Sequence, residues 1–498
     1  MDIDYIIVQA GGIGSRLQHL TENKPKALVP VENLPMIFHL FQKYPDKKYI
    51  IIADYKIDVF KEYLRCFADV IFQVVNAEGS GTCGGIKQAL RLIPAGKPFM
   101  LIWSDIILPE EFNIPHEESD YIGLSRTFPC RWSYEAGKFY EKLSIEQGVA
   151  GLFIFRDKAS LHDVPDSGEF VRWMRDNNMT LSEIGIAGAR EFGTIEEYEK
   201  LVIEKNRPFN KMTIKDGILT KEGIDEQGRR LAELERNWYE KAIALGVTGI
   251  PEIYGLNPLK MEQIKGKNIY ECNFTYESRK NILEKLVKTL RNLHMLETVP
   301  ADSFSLSEAY YNKTIERLLR IRDLIPFAND EIITINNKEC RNIFFYRQKL
   351  SARLDELQSN CDAFVFIHGD CTFSNMMLKD DGEPVLIDPR GYFGYTKLYG
   401  DDRYDWAKLY YSIVGNYDRF NLGRFKLSIG ESGVDLDIES NQWEDLEDVF
   451  FELTGADEQE IKLLHAVIWL SLTTYAWQNY DSICGAFYNG LYYLEDVL

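Results

Sequence analysis

The sequence predicts an α/β domain with a largely parallel sheet, followed by a second domain that is mostly helical. Up to about residue 200, short apolar runs alternate with amphipathic stretches, which is typical of strands joined by helices. Beyond that point helical patterns dominate, and two short apolar runs interrupt them between 363 and 391. A polar, proline-containing stretch at 200–212 separates the two patterns. We therefore predict domains at 1–205 and 206–498.

The individual elements follow from hydrophobic periodicity and from the turn residues between the runs. The predicted strands of the first domain are 5–10, 48–55, 70–75, 99–105 and 149–155, and its clearest predicted helices are 58–68 and 84–93. In the second domain, 211–223 predicts a β-hairpin and 226–246 predicts a long helix.

Composition excludes several classes of protein. With 498 residues, of which 45% are hydrophobic, the chain can bury two or three cores. A net charge of −20 argues against a nucleic acid or an anionic membrane as partner, because both bind basic surfaces. The eight cysteines lack CxxC and zinc-type spacing. Since neither a signal peptide nor an apolar run of membrane-spanning length is visible, we expect a cytoplasmic protein with reduced thiols.

The segment QAGGIGSRLQHLTENKPKALVPV (9–31) follows the first predicted strand. It contributes three glycines and three cations, of which Gly11, Gly12, Gly14, Arg16 and Lys26 are the candidate site residues. Glycines let main-chain amides approach a phosphate, and a helix after the loop would add positive charge at its N-terminus. A plain strand-to-helix turn accounts for the glycines but not for Arg16 and Lys26 at this spacing. The segment therefore predicts a binding site for a nucleoside triphosphate.

This segment resembles the signature of the sugar-nucleotide pyrophosphorylase family, the nucleotidyltransferases, and the resemblance extends over about 200 residues. It implies a Rossmann-like fold with a mostly parallel sheet and a second nucleotide loop in EGSGTCGGIKQAL (78–90). The family motifs imply nucleotide contacts by Gly81 and Thr82, metal ligation by Asp105 and Glu191, and an acceptor-phosphate contact by Lys142. Two departures stand out: Glu191 replaces the usual aspartate, and the proline that normally follows Lys142 in a Glu-Lys-Pro turn is missing.

The chemistry of nucleotidyl transfer suits these residue types. A phosphate monoester is largely dianionic at neutral pH, so it can attack the α-phosphorus of a nucleoside triphosphate without a base. The obstacle is repulsion between anions, which Mg²⁺, Arg16 and Lys26 would reduce. The reaction needs no catalytic histidine.

A second cluster of polar residues lies in AFVFIHGDCTFSNMMLKDDGEPVLIDPRG (363–391). An alcohol is neutral and holds its proton, so its attack on the γ-phosphorus of ATP benefits from a positioned carboxylate, here Asp370. Asn375 and Asp388 have the side chains and the spacing to hold the Mg²⁺ that bridges the nucleotide phosphates. We expect His368 to support the loop rather than to carry a proton.

This segment resembles the catalytic loop of the aminoglycoside phosphotransferase and choline kinase family, and the resemblance covers about 206–498. It implies an α+β, protein-kinase-like bilobal domain with an N-lobe at about 206–265 and a C-lobe at about 266–498. The implied nucleotide-binding residues are Lys221 on a strand, Glu235 on a helix, and Glu262 in the hinge between the two lobes. The carboxylate of Glu235 would pair with Lys221. Asp405 resembles a family aspartate that supports the catalytic loop.

Together the two domains predict a bifunctional enzyme. It would phosphorylate a hydroxylated metabolite X with ATP and then couple X-phosphate to CTP, GTP or UTP, releasing pyrophosphate. The product NDP-X would serve surface glycan (capsule or lipopolysaccharide) or lipid synthesis. The expected partners are small molecules, with no nucleic acid and no membrane, and an oligomer stays open.

Three alternatives stay open at this stage. X is a sugar or polyol, which the form of the KPKALVPV motif favours. Otherwise X is choline or another amino alcohol that gives a CDP-linked product, since the aromatic segment 469–498 could cage a cation near Asp481. In a different class, one or both domains would be non-catalytic nucleotide-binding regulators.

Overall fold

The computed structural model describes residues 2–77, 80–201, 210–224 and 226–498. Two compact units make up the chain. The first comprises Met1–Glu204 with Trp477–Asp481, and the second comprises Lys205–Ala476 with Ser482–Leu498. The boundary predicted at 205/206 lies outside the described residues, so it stays a prediction.

The first unit is an α/β structure built on a nine-stranded sheet. The strands of this unit are β1 (Tyr5–Gln9), β2 (Pro30–Val31), β3 (Leu34–Pro35), β4 (Lys48–Ala53), β5 (Ile71–Asn76), β6 (Phe99–Trp103), β7 (Ile106–Ile107), β8 (Tyr121–Ser125), β9 (Ser133–Glu135), β10 (Lys138–Tyr140), β11 (Gly148–Phe155), β12 (Ser182–Gly185) and β13 (Arg190–Glu191). Its α-helices are α1 (Met36–Lys43), α2 (Ile57–Phe67), α3 (Cys83–Leu92), α4 (Phe170–Asp176) and α5 (Ile195–Glu199).

The centre of the sheet is parallel, in the order β6-β1-β4-β5. Strand β11 pairs antiparallel with β6 and β8 and extends the sheet on the β6 side. All five predicted strands and both predicted helices are confirmed within two residues of their bounds. Because β1 and β6 are neighbouring parallel strands, the glycine loop after β1 and Asp105 after β6 leave the same edge of the sheet.

The α-helix predicted directly after the glycine loop is not present. The segment Ser15–Thr21 is a 3-10 helix, and inside it Gln18 has a φ of 51°. This left-handed residue interrupts the regular hydrogen bonding, so the segment lacks the aligned peptide dipoles of a full α-helix. The prediction that a helix N-terminus adds charge to this loop was wrong.

The second unit is α+β. Its strands are β14 (Asn210–Lys215), β15 (Ile218–Gly223), β16 (Ile253–Leu256), β17 (Leu259–Glu262), β18 (Gly266–Asn268), β19 (Thr298–Pro300), β20 (Ile332–Ile335), β21 (Lys338–Arg341), β22 (Ala363–Phe366), β23 (Met376–Lys379), β24 (Pro384–Leu386), β25 (Tyr392–Phe393), β26 (Thr396–Lys397), β27 (Tyr399–Gly400), β28 (Phe425–Ile429) and β29 (Val434–Ile438). Its α-helices are α6 (Glu226–Leu245), α7 (Tyr276–His294), α8 (Ser303–Ser307), α9 (Lys313–Ile321), α10 (Ile343–Ser359), α11 (Asp402–Ile413), α12 (Tyr417–Asn421), α13 (Glu447–Thr454), α14 (Glu458–Leu472) and α15 (Tyr480–Leu494).

The start of the second unit is an antiparallel sheet in the order β14-β15-β17-β16. The predicted hairpin is β14–β15, with Lys215 paired to Ile218 across a turn in which Asp216 and Gly217 both have positive φ. The predicted long helix is α6, whose Trp238 and Tyr239 are buried against this sheet.

Half of the aromatic residues in the C-terminal segment 469–498 lie in the core, whereas Tyr475 is 63% exposed. Trp469, Phe487 and Tyr488 are fully buried, so these rings are not available as a cage for a cation. Within the described ranges, no helix combines the length and hydropathy needed to cross a membrane.

Candidate active sites

In the first unit the glycine loop lies against Lys26. Gly14 has a φ of 70°, and a Cβ built on it would lie 3.0 Å from the Cβ of Lys26. The Gly14 carbonyl accepts hydrogen bonds from the Leu17 amide at 2.8 Å and from the Thr21 hydroxyl at 3.3 Å. A residue larger than glycine would therefore push the lysine away from the loop.

Two carboxylates and two cations that are distant in sequence meet beside this loop. Lys26 forms an ion pair with Asp105, which follows β6. Strand β13 pairs antiparallel with β7, with Glu191 opposite Ile106, and this register places Glu191 near Asp105. Arg16 Nη2 lies 4.0 Å from Glu191 Oε1. The structure thus brings together Arg16, Lys26, Asp105 and Glu191.

The two carboxylates have the chemistry of a magnesium site that substrate completes. Burial raises the pKa of Glu191, and the negative charge of Asp105 raises it further. A cation between the two would relieve that repulsion. Among the described residues no group of three or more His, Cys, Asp or Glu side chains could enclose a metal ion. Mg²⁺ does not need such a cage, because it is commonly held by one or two carboxylates together with substrate phosphates.

The second predicted nucleotide loop is held against Gly168. The amides of Thr82 and Cys83 both donate to the Gly168 carbonyl, at 2.9 and 3.0 Å, and the Thr82 hydroxyl accepts from the Phe170 amide at 2.9 Å. Residues 78 and 79 of this loop lie outside the described residues. The predicted contacts of Gly81 and Thr82 with a nucleotide stay predictions.

Replacing Gly81 by alanine is expected to destabilise the first unit by about 1–3 kcal/mol. Gly81 has a φ of 85°, and a Cβ there would lie 2.4 Å from the Gly168 carbonyl oxygen. Gly96→Ala is the matched control, since Gly96 also has a positive φ, 71°, but a Cβ there would make only an ordinary van der Waals contact, 3.8 Å from Asp157 Oδ2. Thermal unfolding of both variants measures the difference. Equal losses would mean that the contact with Gly168 does not constrain the loop.

Lys142, the predicted acceptor-phosphate residue, is exposed after β10. Its neighbour Glu141 pairs with Arg131 and Arg172. Within the part of the chain that the structure describes, no hydrogen bond or ion pair joins the Lys142 side chain to the Asp105 cluster, and its role stays a prediction.

In the second unit, three charged residues from three segments form one group, in which Lys221 and Glu235 are buried and Asp388 is 28% exposed. Lys221 Nζ on β15 lies 2.7 Å from Glu235 Oε2 on α6 and 2.8 Å from Asp388 Oδ1. The lysine and glutamate side chains are only 5% and 6% exposed. Burial alone would lower the pKa of Lys221, but the charges of Asp388 and Glu235 outweigh burial and raise it. Lys221 is thus a fixed cation beside Asp388.

Asp370 and Asn375 lie together on the loop after β22. Asn375 Nδ2 donates to Asp370 Oδ2 and to the Asp370 carbonyl, both at 2.9 Å. The Asn375 carbonyl accepts from the amide of Ile387, which precedes Asp388. Asp388 itself has a φ of 55°, a conformation that a non-glycine residue keeps only where its surroundings hold it. These contacts bring all three residues predicted from the 363–391 segment into one site, and their oxygen donors fit Mg²⁺.

The loop that carries Asp370 rests on buried Asp405. The carboxylate of Asp405 accepts from the amides of His368 and Gly369, at 2.8 and 2.7 Å, and from His294 Nε2 at 3.0 Å. His368 donates through Nε2 to the Ile387 carbonyl at 3.0 Å, and burial lowers its pKa. Both residues therefore support the loop, in the positions predicted for them.

Glu262 ends β17, but its amide already donates to the Glu252 carbonyl at 2.8 Å. Its side chain lies 3.4 Å from Lys379 Nζ. The predicted hinge contact with a purine therefore cannot use the Glu262 amide in this arrangement.

Sequence reasoning missed a set of cations around Asp370. Lys408 Nζ lies 3.0 Å from Asp370 Oδ1, and Arg390 follows Asp388 by two residues. Lys408 lies three residues after Asp405 and so shares its face of α11, which is a local signal that could have identified it. No local sequence pattern indicates that Lys313 and Arg317 on α9 belong with Lys408 and Arg390.

The folds and clusters define a two-domain chain with a nucleotidyltransferase-like half and a kinase-like half. Residues 5–116 match the model of the Nucleotidyl transferase family, and residues 222–422 match that of the Phosphotransferase enzyme family. The chain therefore carries a nucleotidyl transferase domain followed by a phosphotransferase-family domain.

Curated relatives match the N-terminal part of the chain. D-glycero-alpha-D-manno-heptose 1-phosphate guanylyltransferase from Campylobacter jejuni subsp. jejuni serotype O:2 is 33% identical over 92 residues, 18% of this chain and 42% of that protein. Mannose-1-phosphate guanylyltransferase catalytic subunit beta from Drosophila pseudoobscura pseudoobscura is 30% identical over 174 residues, 33% of this chain and 47% of that protein. The chain thus spans less than half the length of these relatives. Among solved structures, HddC from Yersinia pseudotuberculosis is 20% identical and covers 40% of this chain and 98% of its own, with a TM-score of 0.35.

Proposed function

We propose that the protein catalyses two consecutive reactions on one small metabolite X. In the second unit ATP phosphorylates a hydroxyl of X, and in the first unit X-phosphate displaces pyrophosphate from a nucleoside triphosphate to give NDP-X. The observation that carries the proposal is that each family domain assembles its own cluster of oxygen ligands beside a cation. The first cluster is Asp105 and Glu191 with Lys26, and the second is the carboxylates of Asp370 and Asp388 and the amide of Asn375, with Lys221.

In the phosphotransferase site the acceptor oxygen would attack the γ-phosphorus of ATP. The bond between the γ-phosphorus and the oxygen that bridges it to the β-phosphate would break, and ADP would leave. Asp370 would take the proton of the acceptor hydroxyl, since it is the candidate base on the loop after β22. Lys221, held by Glu235, would contact the nucleotide phosphates. Asp405 and His368 would keep the loop in place.

In the nucleotidyltransferase site a phosphate oxygen of X-phosphate would attack the α-phosphorus, and pyrophosphate would leave. Arg16 and Lys26 would neutralise charge on the triphosphate, and Gly11, Gly12 and Gly14 would allow main-chain amides to approach it. Lys142 would contact the acceptor phosphate. Mg²⁺, which Asp105 and Glu191 would hold here and Asn375 and Asp388 in the other site, supplies positive charge to phosphate oxygens when bound.

We propose a sugar or polyol as X and GTP as the first nucleotide to test. The support is that relatives of the N-terminal part are named as guanylyltransferases of sugar phosphates. The amino-alcohol alternative has less support, because half of the aromatic residues in segment 469–498 are buried in the core. We further propose a cytoplasmic enzyme that serves surface glycan synthesis, such as that of capsule.

A product assay tests the proposal. The purified chain is incubated with ATP, Mg²⁺, one of CTP, GTP or UTP, and a panel of sugars, polyols and amino alcohols. Release of ADP and of pyrophosphate is measured, and mass spectrometry identifies NDP-X. We expect both products with at least one acceptor. Nucleotide binding without either product would instead favour a regulator.

A further inference from the structure

Four basic side chains from three segments of the second unit lie close together, and two of them, Lys408 and Arg390, lie near the carboxylate of Asp370. They are Lys313 and Arg317 on α9, Arg390 after β24, and Lys408 on α11, and we call them the basic cluster. All four are partly or largely buried. Lys408 Nζ lies 3.0 Å from Asp370 Oδ1, and Lys313 and Arg317 are four residues apart, so they share one face of α9.

Neutral groups hold two members of the cluster. Arg390 donates to the hydroxyls of Tyr404 and Tyr392, each at 2.8 Å. Arg317 donates to the Ser471 carbonyl at 2.5 Å. Tyrosine hydroxyls and carbonyls orient a guanidinium without neutralising it, so both arginines keep their full charge toward their surroundings.

Lys313 lacks a counter-ion of its own. Within the described ranges its ammonium makes neither a hydrogen bond nor an ion pair. Burial lowers its pKa well below the usual range, and the positive charges of Arg390, Arg317 and Lys408 lower it further, while Glu308 opposes them. Burial disfavours the charged forms of Lys408 and Arg390, and the negative charge of Asp370 favours them. The charged groups that act most strongly on Lys313 are thus three cations and one carboxylate, and a ligand anion beside it would favour its charged form.

An uncompensated group of buried cations is costly unless a ligand supplies negative charge. Guanidinium and ammonium groups are the usual partners of phosphate and carboxylate. The cluster adjoins the carboxylate that would accept the proton of the substrate hydroxyl. A ligand anion here would therefore belong to the molecule that carries that hydroxyl, whereas a quaternary ammonium would be repelled.

We infer that the acceptor of the phosphotransferase site carries an anionic group, a phosphate or a carboxylate, besides the hydroxyl that is phosphorylated, and that Lys313, Arg317 and Arg390 hold that group. The inference rests on the proposed phosphotransferase function. The anionic group does not react: the hydroxyl oxygen bonds to the γ-phosphorus, ADP leaves, and the proton passes to Asp370.

Matched sets of acceptors test the inference. The first set is glycerol, glycerol 3-phosphate and glycerate; the second is glucose, glucose 6-phosphate and glucuronate; choline is added as a cation. ADP release is measured with ATP and Mg²⁺. We expect the phosphate or the carboxylate member of a set to have a kcat/KM at least about tenfold higher than that of the neutral member. Comparison of the phosphate member with the carboxylate member then shows which anionic group the site prefers.

Lys313→Met separates acceptor binding from ATP binding. It is expected to raise KM for the preferred anionic acceptor about 10- to 100-fold while KM for ATP changes less than about twofold. Lys349→Met is the control, because Lys349 is an exposed lysine of α10 in the same unit, and it should change neither constant. An equal rise in both KM values would assign the cluster to ATP and overturn the inference.

Two further outcomes are distinguishable. Equal or better use of neutral or cationic acceptors would overturn the inference and leave the phosphotransferase proposal standing. If no member of the panel is phosphorylated, calorimetry with the complex of the protein and a non-hydrolysable ATP analogue compares glycerol 3-phosphate with glycerol. Preferential binding of the phosphate that Lys313→Met removes would support the inference, and equal binding or none would overturn it. A chain that does not bind the ATP analogue would contradict the proposed function itself.

Discussion

Replacing Asp370 by asparagine is expected to lower kcat for phosphoryl transfer by a factor of about 10² to 10⁴. Asparagine has nearly the same shape, so the loop that rests on Asp405 should persist, but an amide does not accept the proton of the substrate hydroxyl. Nucleotidyl transfer from supplied X-phosphate should keep its rate, because its cluster is built from other residues in the other unit. ADP release and pyrophosphate release, measured separately, report the two activities.

The control for this variant is Asp380→Asn, which changes an exposed carboxylate after β23 in the same unit. It should leave both activities at the level of the parent protein. If Asp370→Asn kept full phosphoryl transfer, Asp370 would not be the base. Loss of both activities in a folded variant would contradict the assignment of one reaction to each unit.

Replacing Asp105 by asparagine is expected to lower nucleotidyl transfer by a factor of about 10² to 10³, the size seen when one preorganised electrostatic group is removed. The change removes the counter-charge of Lys26 and one of the two carboxylates that would hold Mg²⁺. The Mg²⁺ concentration needed for half-maximal pyrophosphate release should also rise. Phosphoryl transfer in the second unit should be unchanged.

Asp69→Asn is the matched control for that experiment. Asp69 is exposed and precedes β5, whereas Asp105 follows β6, so the two lie at opposite ends of parallel strands. The control should leave pyrophosphate release and its Mg²⁺ dependence unaltered. A parent-like Mg²⁺ dependence in Asp105→Asn would remove Asp105 from the metal site.

Much of the first unit could be predicted because its strands bury both faces. Such strands are continuous apolar runs, and β1, β4 and β6 are all of this kind. The 3-10 helix after the glycine loop could not be predicted in this way, since the apolar spacing of 15–21 is compatible with a helix. What excludes an α-helix there is the left-handed backbone of Gln18, which periodicity does not report.

The candidate residues of the second site could be named from the sequence because they follow short strands in a compact segment. The family resemblance predicts that Lys221 pairs with Glu235, and in the structure Lys221 Nζ lies 2.7 Å from Glu235 Oε2. The cations near Asp370 were missed for a different reason. An isolated lysine or arginine in an amphipathic helix, such as Lys313 on α9, has the pattern of a solvated residue until its neighbours are known.

The sequence by itself determined that the chain has two domains, and it determined the main strands and helices of the first unit. It also determined the chemical types of the candidate catalytic groups. All of these depend on local periodicity and short motifs. Only the tertiary structure decided which charges meet. Lys26 and Asp105 are 79 residues apart, and Lys221 and Asp388 are 167 apart. The free energy of such a pair depends on burial and on distance, and both arise only when remote segments pack together. The grouping of Lys313, Arg317 and Arg390 with Lys408 is of the same origin, and it is the basis of the proposed anionic acceptor.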